Sequence, residues 1–130
     1  MIQRIQSLFL LLVAIVASAG LFMNLYIIDG VSHKVLEDSN MTLTSSLMST
    51  LALVTLFMFG NRKLQIKLCY SLMVLSLVLV SFMGMSYTSD TINFNKVLFS
   101  IPAITFILAF LAQFFIKKDL KLVESADRLR

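Results

Sequence analysis

Residues 97–130, at the end of the chain, read VLFSIPAITFILAFLAQFFIKKDLKLVESADRLR. The first twenty of them, 97–116, carry no charged side chain, whereas eight of the last fourteen, 117–130, are charged. Twenty helical residues extend about 30 Å, which is the thickness of the hydrocarbon core of a bilayer. This stretch therefore predicts a membrane-spanning helix that stops at a charged tail, with Lys117 and Lys118 anchoring it at the membrane surface.

Three further apolar runs of similar length precede it, at residues 7–28, 43–59 and 68–86, and none of the four contains Asp, Glu, Lys, Arg or His. An α-helix satisfies its own backbone in lipid, so four runs predict four helices. With 58% apolar and 14% charged residues, the chain lacks the polar surface of a soluble domain. We therefore predict an all-α integral membrane four-helix bundle. Residues 1–130 form a single membrane domain, of which 117–130 is a cytoplasmic, helical tail.

The basic residues predict the orientation of this bundle. With four spans, nine of the eleven lysines and arginines fall on one side, and only Lys34 and Lys96 fall on the other. Basic residues near the ends of spans are retained in the cytoplasm, so both termini are expected there. The second run is the weakest because Ser and Thr dilute it, and its failure to insert would invert every later segment.

Residues 1–20 also resemble a signal peptide, with a basic start, an apolar stretch and Ala17-Ser18-Ala19 as a candidate cleavage site. The apolar run continues to Ile28, so cleavage would fall within the span. We expect this segment to be retained.

The sequence offers no catalytic, cofactor-binding or metal-binding residues. Function inside a membrane generally needs ionisable side chains there, and the four runs hold none. The single Cys69 cannot form an intrachain disulfide, and the lone His33, near Asp38 in an outer loop, has no ligand pattern around it. We predict that the protein is not an enzyme and binds neither a cofactor nor a metal ion.

Small and polar side chains at helical spacing predict the seams of the bundle. Residues four apart share one face of a helix, and small residues let helices approach closely in lipid. The helix-packing residues predicted on this basis are Ala14 and Ser18 in the first span, Ser45 and Ser49 in the second, and Thr105, Ala109 and Gln113 in the fourth.

The predicted cytoplasmic side carries a basic surface that we interpret as a docking site for a partner or for lipid. Its residues are Arg62, Lys63, Lys67, Lys117, Lys118, Lys121, Arg128 and Arg130. Each would gain about 1 kcal/mol beside anionic lipid. The expected partners are the anionic head groups of membrane lipids on the cytoplasmic side and other membrane proteins, and no nucleic acid. The charged tail either lies on the membrane as an interfacial helix or serves as a docking handle, and both interpretations stay open.

Three stretches, MIQRIQSLFLLL at the start, NRKLQIKLC at residues 61–69 and KKDLKLVESADRLR at the end, resemble a family of small four-span inner-membrane proteins from Bacteroidota bacteria. The resemblance covers the whole chain and is closest in these three predicted cytoplasmic stretches. It implies a multi-pass protein of a bacterial inner membrane. The family is one of unknown function, so the resemblance supplies no reaction and no site residues.

These observations favour a small structural or accessory subunit of a larger inner-membrane assembly. The absence of buried charge, the short loops and the charged cytoplasmic face all indicate such a role. An alternative is an autonomous transporter or channel for a small solute. A second alternative is an enzyme acting on lipid head groups through loop residues such as His33 and Asp38.

Overall fold

The chain folds around four long helices. The computed structural model describes the backbone of residues 2–28, 31–58, 60–87, 93–94 and 96–127, and the side chains of 5–24, 34–58, 60–85 and 97–126. Within this backbone the helices are α1 (Ile2–Leu21), α2 (Ser39–Phe57), α3 (Arg62–Tyr87) and α4 (Ser100–Asp127). Short 3-10 turns at Val35–Glu37 and Lys96–Phe99 lead into α2 and α4. The four helices expected from the apolar runs are thus present in the described part of the chain.

Polar caps place the starts of α2 and α3 before the apolar runs begin. The Asp38 carboxylate accepts hydrogen bonds from the backbone N–H groups of Asn40 and Met41, at 3.0 and 3.2 Å, which fixes the start of α2. The Asn61 side chain accepts one from Leu64 N–H at 3.2 Å and caps α3 in the same way. Each of these helices therefore begins a turn or more before its apolar run.

The first helix ends sooner than the apolar run that predicted it. The run extends to Ile28, but α1 stops at Leu21, and Asn24–Ile28 forms strand β1. β1 pairs antiparallel with β2 (Val31–Lys34) on one edge and with β3 (Asn93–Phe94) on the other. Tyr and Ile favour strands, and an apolar run alone does not distinguish a strand from the end of a helix. This small sheet lies in the segments that the sequence indicated to be outer loops and the end of a span.

The helices pack in a ring, in which α1 and α3 each contact both α2 and α4. The buried side chains form two clusters along the bundle. One contains Leu10, Val13, Ala14, Ala52, Cys69, Leu72, Met73, Ala109, Ala112 and Ile116. The other contains Ala17, Val35, Met41, Met48, Leu79, Met83, Leu98 and Ile101.

Large apolar side chains also cover the outside of the bundle. Examples from the four helices are Leu8, Leu11, Ile15, Leu43, Leu47, Val74, Leu77, Ile107, Phe110 and Phe114. So much exposed apolar surface is unusual for a soluble monomer but suits a surface that faces lipid. Three helical segments, Ser39–Phe57, Arg62–Met85 and Val97–Ala126, are long and apolar enough to cross a membrane, and Ile5–Leu21 is a shorter apolar helix. These features indicate a membrane protein.

Candidate docking surface at the hairpin end

The end of the bundle at the α2–α3 hairpin holds several polar contacts between the described parts of the helices. We call it the hairpin end, and it comprises residues 2–9 of α1, 51–57 of α2, 62–70 of α3 and 113–126 of α4, with residues 58, 60 and 61 of the turn between α2 and α3. The Gln6 amide of α1 donates a hydrogen bond to the carbonyl of Phe115 in α4 at 3.1 Å. This contact places the start of α1 beside the later part of α4.

Three glutamines, Gln6, Gln65 and Gln113, are buried at the hairpin end, and each is 4% exposed. Gln65 donates to the Thr55 carbonyl at 3.1 Å and so joins α3 to the last turns of α2. Thr55 itself is fully buried. The Nε2 atom of Gln113, in contrast, has no hydrogen-bond acceptor among the described residues. Two of the three thus link helices through backbone carbonyls, while the third is a buried amide with an unused donor.

Sequence reasoning singled out Gln113 but missed Gln6 and Gln65. Both missed residues lie beside basic residues in the sequence, Gln6 after Arg4 and Gln65 between Lys63 and Lys67. That neighbourhood suggested a solvated loop or terminus. The usable signal was the helical spacing that places Gln65 four residues before Cys69, on the buried face of α3.

A lysine and a tyrosine join α3 to α4 where the apolar part of α4 ends. The Lys117 ammonium donates a hydrogen bond to the Tyr70 hydroxyl at 2.9 Å and lies 5.2 Å from the centre of the tyrosine ring. Gln113, one turn before Lys117, also interacts with this hydroxyl, although its Nε2 forms no hydrogen bond with a described residue. Tyr70 and Lys117 therefore hold each other in place at the edge of the apolar surface.

One ion pair connects the start of α3 to the charged part of α4. Arg62 Nη2 lies 3.2 Å from Asp119 Oδ2, and the two side chains are 21% and 13% exposed. This partial burial shields the pair from solvent more than an ordinary surface salt bridge is shielded. The structure thus uses one of the predicted docking residues, Arg62, inside the protein.

The other predicted docking residues lie on the outside. Lys63 and Lys67 are exposed on α3, and Lys117, Lys118 and Lys121 are exposed on α4. The three lysines of α4 line an open cleft of about 250 Å³, together with Phe114. Arg128 and Arg130 lie outside the described residues.

The predicted packing residues lie at or near helix contacts. The Ser49 hydroxyl of α2 donates to the Ala14 carbonyl of α1 at 3.3 Å. Ser45, Thr105 and Ala109 are buried, with Ala109 in the cluster around Leu10. Ser18 is half-buried, and its hydroxyl donates within its own helix, to Ile15 O at 2.9 Å.

Neither Asp38 nor His33 gains a partner for catalysis from the described contacts. Asp38 serves as the cap of α2, and the His33 side chain lies outside the described residues. Among the side chains that the structure describes, no three His, Cys, Asp or Glu residues are grouped as ligands for a metal ion. The exposed lysines and the cleft of the hairpin end make it the candidate docking surface.

Comparison with protein families gives one match, to the model of a domain of unknown function, DUF4293, over residues 2–129. No curated protein and no solved structure matches the chain. Because the family model spans nearly the whole chain, this protein belongs to the DUF4293 family.

Proposed function

We propose that this protein is a small accessory subunit of a larger bacterial inner-membrane assembly, and that it docks through the projecting end of α4. The observation that carries the proposal is the continuity of α4 from Ser100 to Asp127. Such a helix is about 42 Å long, which exceeds a hydrocarbon core of about 30 Å by about two turns. The charged residues after Ile116 therefore extend the spanning helix instead of folding back as a separate segment.

Contacts at its base hold this projecting helix to the bundle. Asp119 is paired with Arg62, and Lys117 with Tyr70, so the turn of α4 at residues 117–119 is attached to α3 by two contacts. A recognition element that is already ordered loses less conformational entropy on binding than a flexible tail. This attachment supports the docking-handle interpretation over that of a helix lying on the membrane.

The outer part of the handle has the composition of a recognition helix. Residues 121–126 are all exposed. Leu122 and Val123 remain 51% and 39% exposed between Lys121 and Glu124. An apolar pair with charged neighbours suits a groove on a partner, because the apolar side chains supply burial and the charges supply specificity. The partner is accordingly a membrane protein, or a protein at the membrane surface, with an apolar groove.

The proposed topology has four spans with both termini in the cytoplasm. The described part of the hairpin end contains Arg62, Lys63 and Lys67 on one helix and Lys117, Lys118 and Lys121 on the other, an excess of positive charge that favours the cytoplasmic side. The twenty residues of α1 suffice for a span of about 30 Å. The bacterial inner membrane is proposed from the resemblance of the three motifs described above.

The test is purification of the tagged protein from its native membrane in a mild detergent, followed by mass spectrometry. We expect a stoichiometric partner that is lost in the double variant Leu122→Asp/Val123→Asp. The control Ser125→Asp/Ala126→Asp adds the same charge to the same exposed helix and should keep the partner. Purification without a partner, or equal retention in both variants, would refute docking through this surface.

A further inference from the structure

A basic cleft and an apolar stripe meet on the outer face of α4. The cleft is lined by Phe114, Lys117, Lys118 and Lys121. We propose that it binds one anionic phospholipid, with the phosphate of the head group at the lysines and an acyl chain along the stripe. The proposal does not depend on the accessory role, since it requires no protein partner.

The cleft lies where the apolar part of α4 meets its charged part, the position expected for a phospholipid head group beside a spanning helix. Phe114 belongs to the last uncharged turns of α4, and Lys117 is the first charged residue after them. One wall of the cleft is therefore apolar and the other cationic across a single helical turn. That arrangement matches a molecule whose phosphate and acyl chains are joined through glycerol.

The cleft concentrates positive charge that carboxylates of the described residues do not neutralise. Lys118 and Lys121 form no ion pair with a carboxylate of the described residues. Lys117 is held at the cleft by the Tyr70 hydroxyl at 2.9 Å, a contact that leaves its charge unneutralised. Three ammonium groups within five residues, one of them fixed in position, suit a phosphate with its several acceptor oxygens.

The apolar stripe continues from the cleft toward the middle of the bundle. Ile107, Phe110, Phe114, Lys118 and Lys121 are spaced by three or four residues, so they share one face of α4, and all are exposed. The eleven residue steps from Ile107 to Lys118 span about 16 Å, close to half of a hydrocarbon core of about 30 Å. One acyl chain of the adjacent leaflet can therefore follow this stripe.

The stripe ends at a groove between α3 and α4. This groove has a volume of about 370 Å³, opens on the outside of the bundle, and is lined by Ser76, Leu77, Val80, Pro102, Ala103, Phe106 and Ile107. Ile107 thus belongs both to the stripe and to the groove. An acyl chain that reached Ile107 would place its end in this recess, which makes the surface more selective for lipid than a flat helix face.

The experiment is native mass spectrometry of the delipidated protein in a neutral detergent, with phosphatidylglycerol and phosphatidylcholine of identical acyl chains in equal amounts. We expect one retained phosphatidylglycerol per chain. The variant Lys118→Gln/Lys121→Gln should retain it about 30-fold more weakly, from about 1 kcal/mol for each lysine. The control Lys63→Gln/Lys67→Gln removes the same charge from exposed positions of α3 and should bind as the wild type does.

Four further outcomes would overturn the proposal. Equal weakening in the two variants would indicate diffuse attraction to the whole basic surface. Equal retention of the two lipids by the wild type would show that the charge of the head group does not determine binding. If no lipid were retained, the cleft would not be a lipid site. Inorganic phosphate at millimolar concentration should leave the bound lipid in place, and its displacement would indicate a free-phosphate site instead. Circular dichroism checks that both variants keep the helix content of the wild type.

Discussion

The guanidinium of Arg62 lies 3.2 Å from the carboxylate of Asp119, so the first residue of α3 is attached to the charged extension of α4. The pair is partly buried, and Asp119 follows Lys117 and Lys118 in a stretch that is otherwise exposed and basic. Removing either partner leaves a partly buried charge, which costs more than the pair itself contributes.

We therefore expect Arg62→Gln and Asp119→Asn each to lower the free energy of unfolding by about 1–2 kcal/mol. The double variant should lose less than the sum of the two, with a coupling near 1 kcal/mol. Denaturant unfolding in detergent micelles measures all three. Lys63→Gln, at an exposed position on the same helix, should stay within about 0.5 kcal/mol of the wild type. Additive losses in the double variant would show that the two charges do not interact.

Two buried glutamines should respond in opposite ways to the loss of their amides. Gln65→Leu removes the buried hydrogen bond to the Thr55 carbonyl, at a cost of about 0.5–1.5 kcal/mol. Gln113→Leu removes an Nε2 that has no acceptor among the described residues, so it should be neutral or stabilising. The same unfolding assay tests both variants. A larger loss for Gln113→Leu than for Gln65→Leu would contradict this assignment.

The sequence predicted the helices well where apolar runs are bounded by polar signals. Asp38 and Asn61 cap α2 and α3 just before their runs, and the run of α4 ends at Lys117. It predicted the end of α1 poorly, because the apolar run continues without a break into Asn24–Ile28, which pairs with Val31–Lys34 and with Asn93–Phe94. Strand pairing depends on a distant partner, which hydropathy along one segment does not contain.

The hairpin end was predictable in its charge but not in its contacts. The abrupt end of the apolar run at Ile116 predicted that Lys117 and Lys118 mark the end of the apolar part of α4. The pairing of Arg62 with Asp119, and of Gln6 with the Phe115 carbonyl, required the relative rotation of α1, α3 and α4. That rotation is set by packing among buried side chains along the whole bundle, so no local pattern reveals it.

Ala109 should be far less tolerant of a larger side chain than Ala103, although both lie in α4. Ala109 is fully buried in a cluster of side chains from all four helices, whereas Ala103 is exposed. We expect Ala109→Leu to lower the free energy of unfolding by about 1–3 kcal/mol through overpacking, and Ala103→Leu to change it by less than about 0.5 kcal/mol. Melting curves in detergent compare the two. Equal tolerance at both positions would mean that Ala109 does not limit the approach of the helices.

The proposed topology predicts a labelling pattern for single cysteines in a Cys69→Ala background. On intact cells with a permeable outer layer, a membrane-impermeant maleimide should react with Lys34→Cys. It should react with Lys63→Cys and Ser125→Cys only after the inner membrane is opened. The physical reason is the excess of basic residues at the hairpin end, which favours its retention in the cytoplasm. Reaction of Lys63→Cys before the inner membrane is opened would show that the orientation is the reverse of the proposed one.

Buried positions inside the bundle separate the accessory role from transport. Ser45 and Thr105 are 4% and 1% exposed, and the Thr105 hydroxyl donates to a carbonyl of its own helix, Pro102 O, at 3.0 Å. In the same Cys69→Ala background, Ser45→Cys and Thr105→Cys should therefore react with a small water-soluble maleimide at least tenfold more slowly than Lys63→Cys in opened membranes. A transporter or channel needs a hydrated path between its helices, since a solute with a polar surface does not cross a dry apolar core. Rapid reaction at both buried positions, with Lys63→Cys as the reference for full access, would place water in the bundle and favour transport over the accessory role.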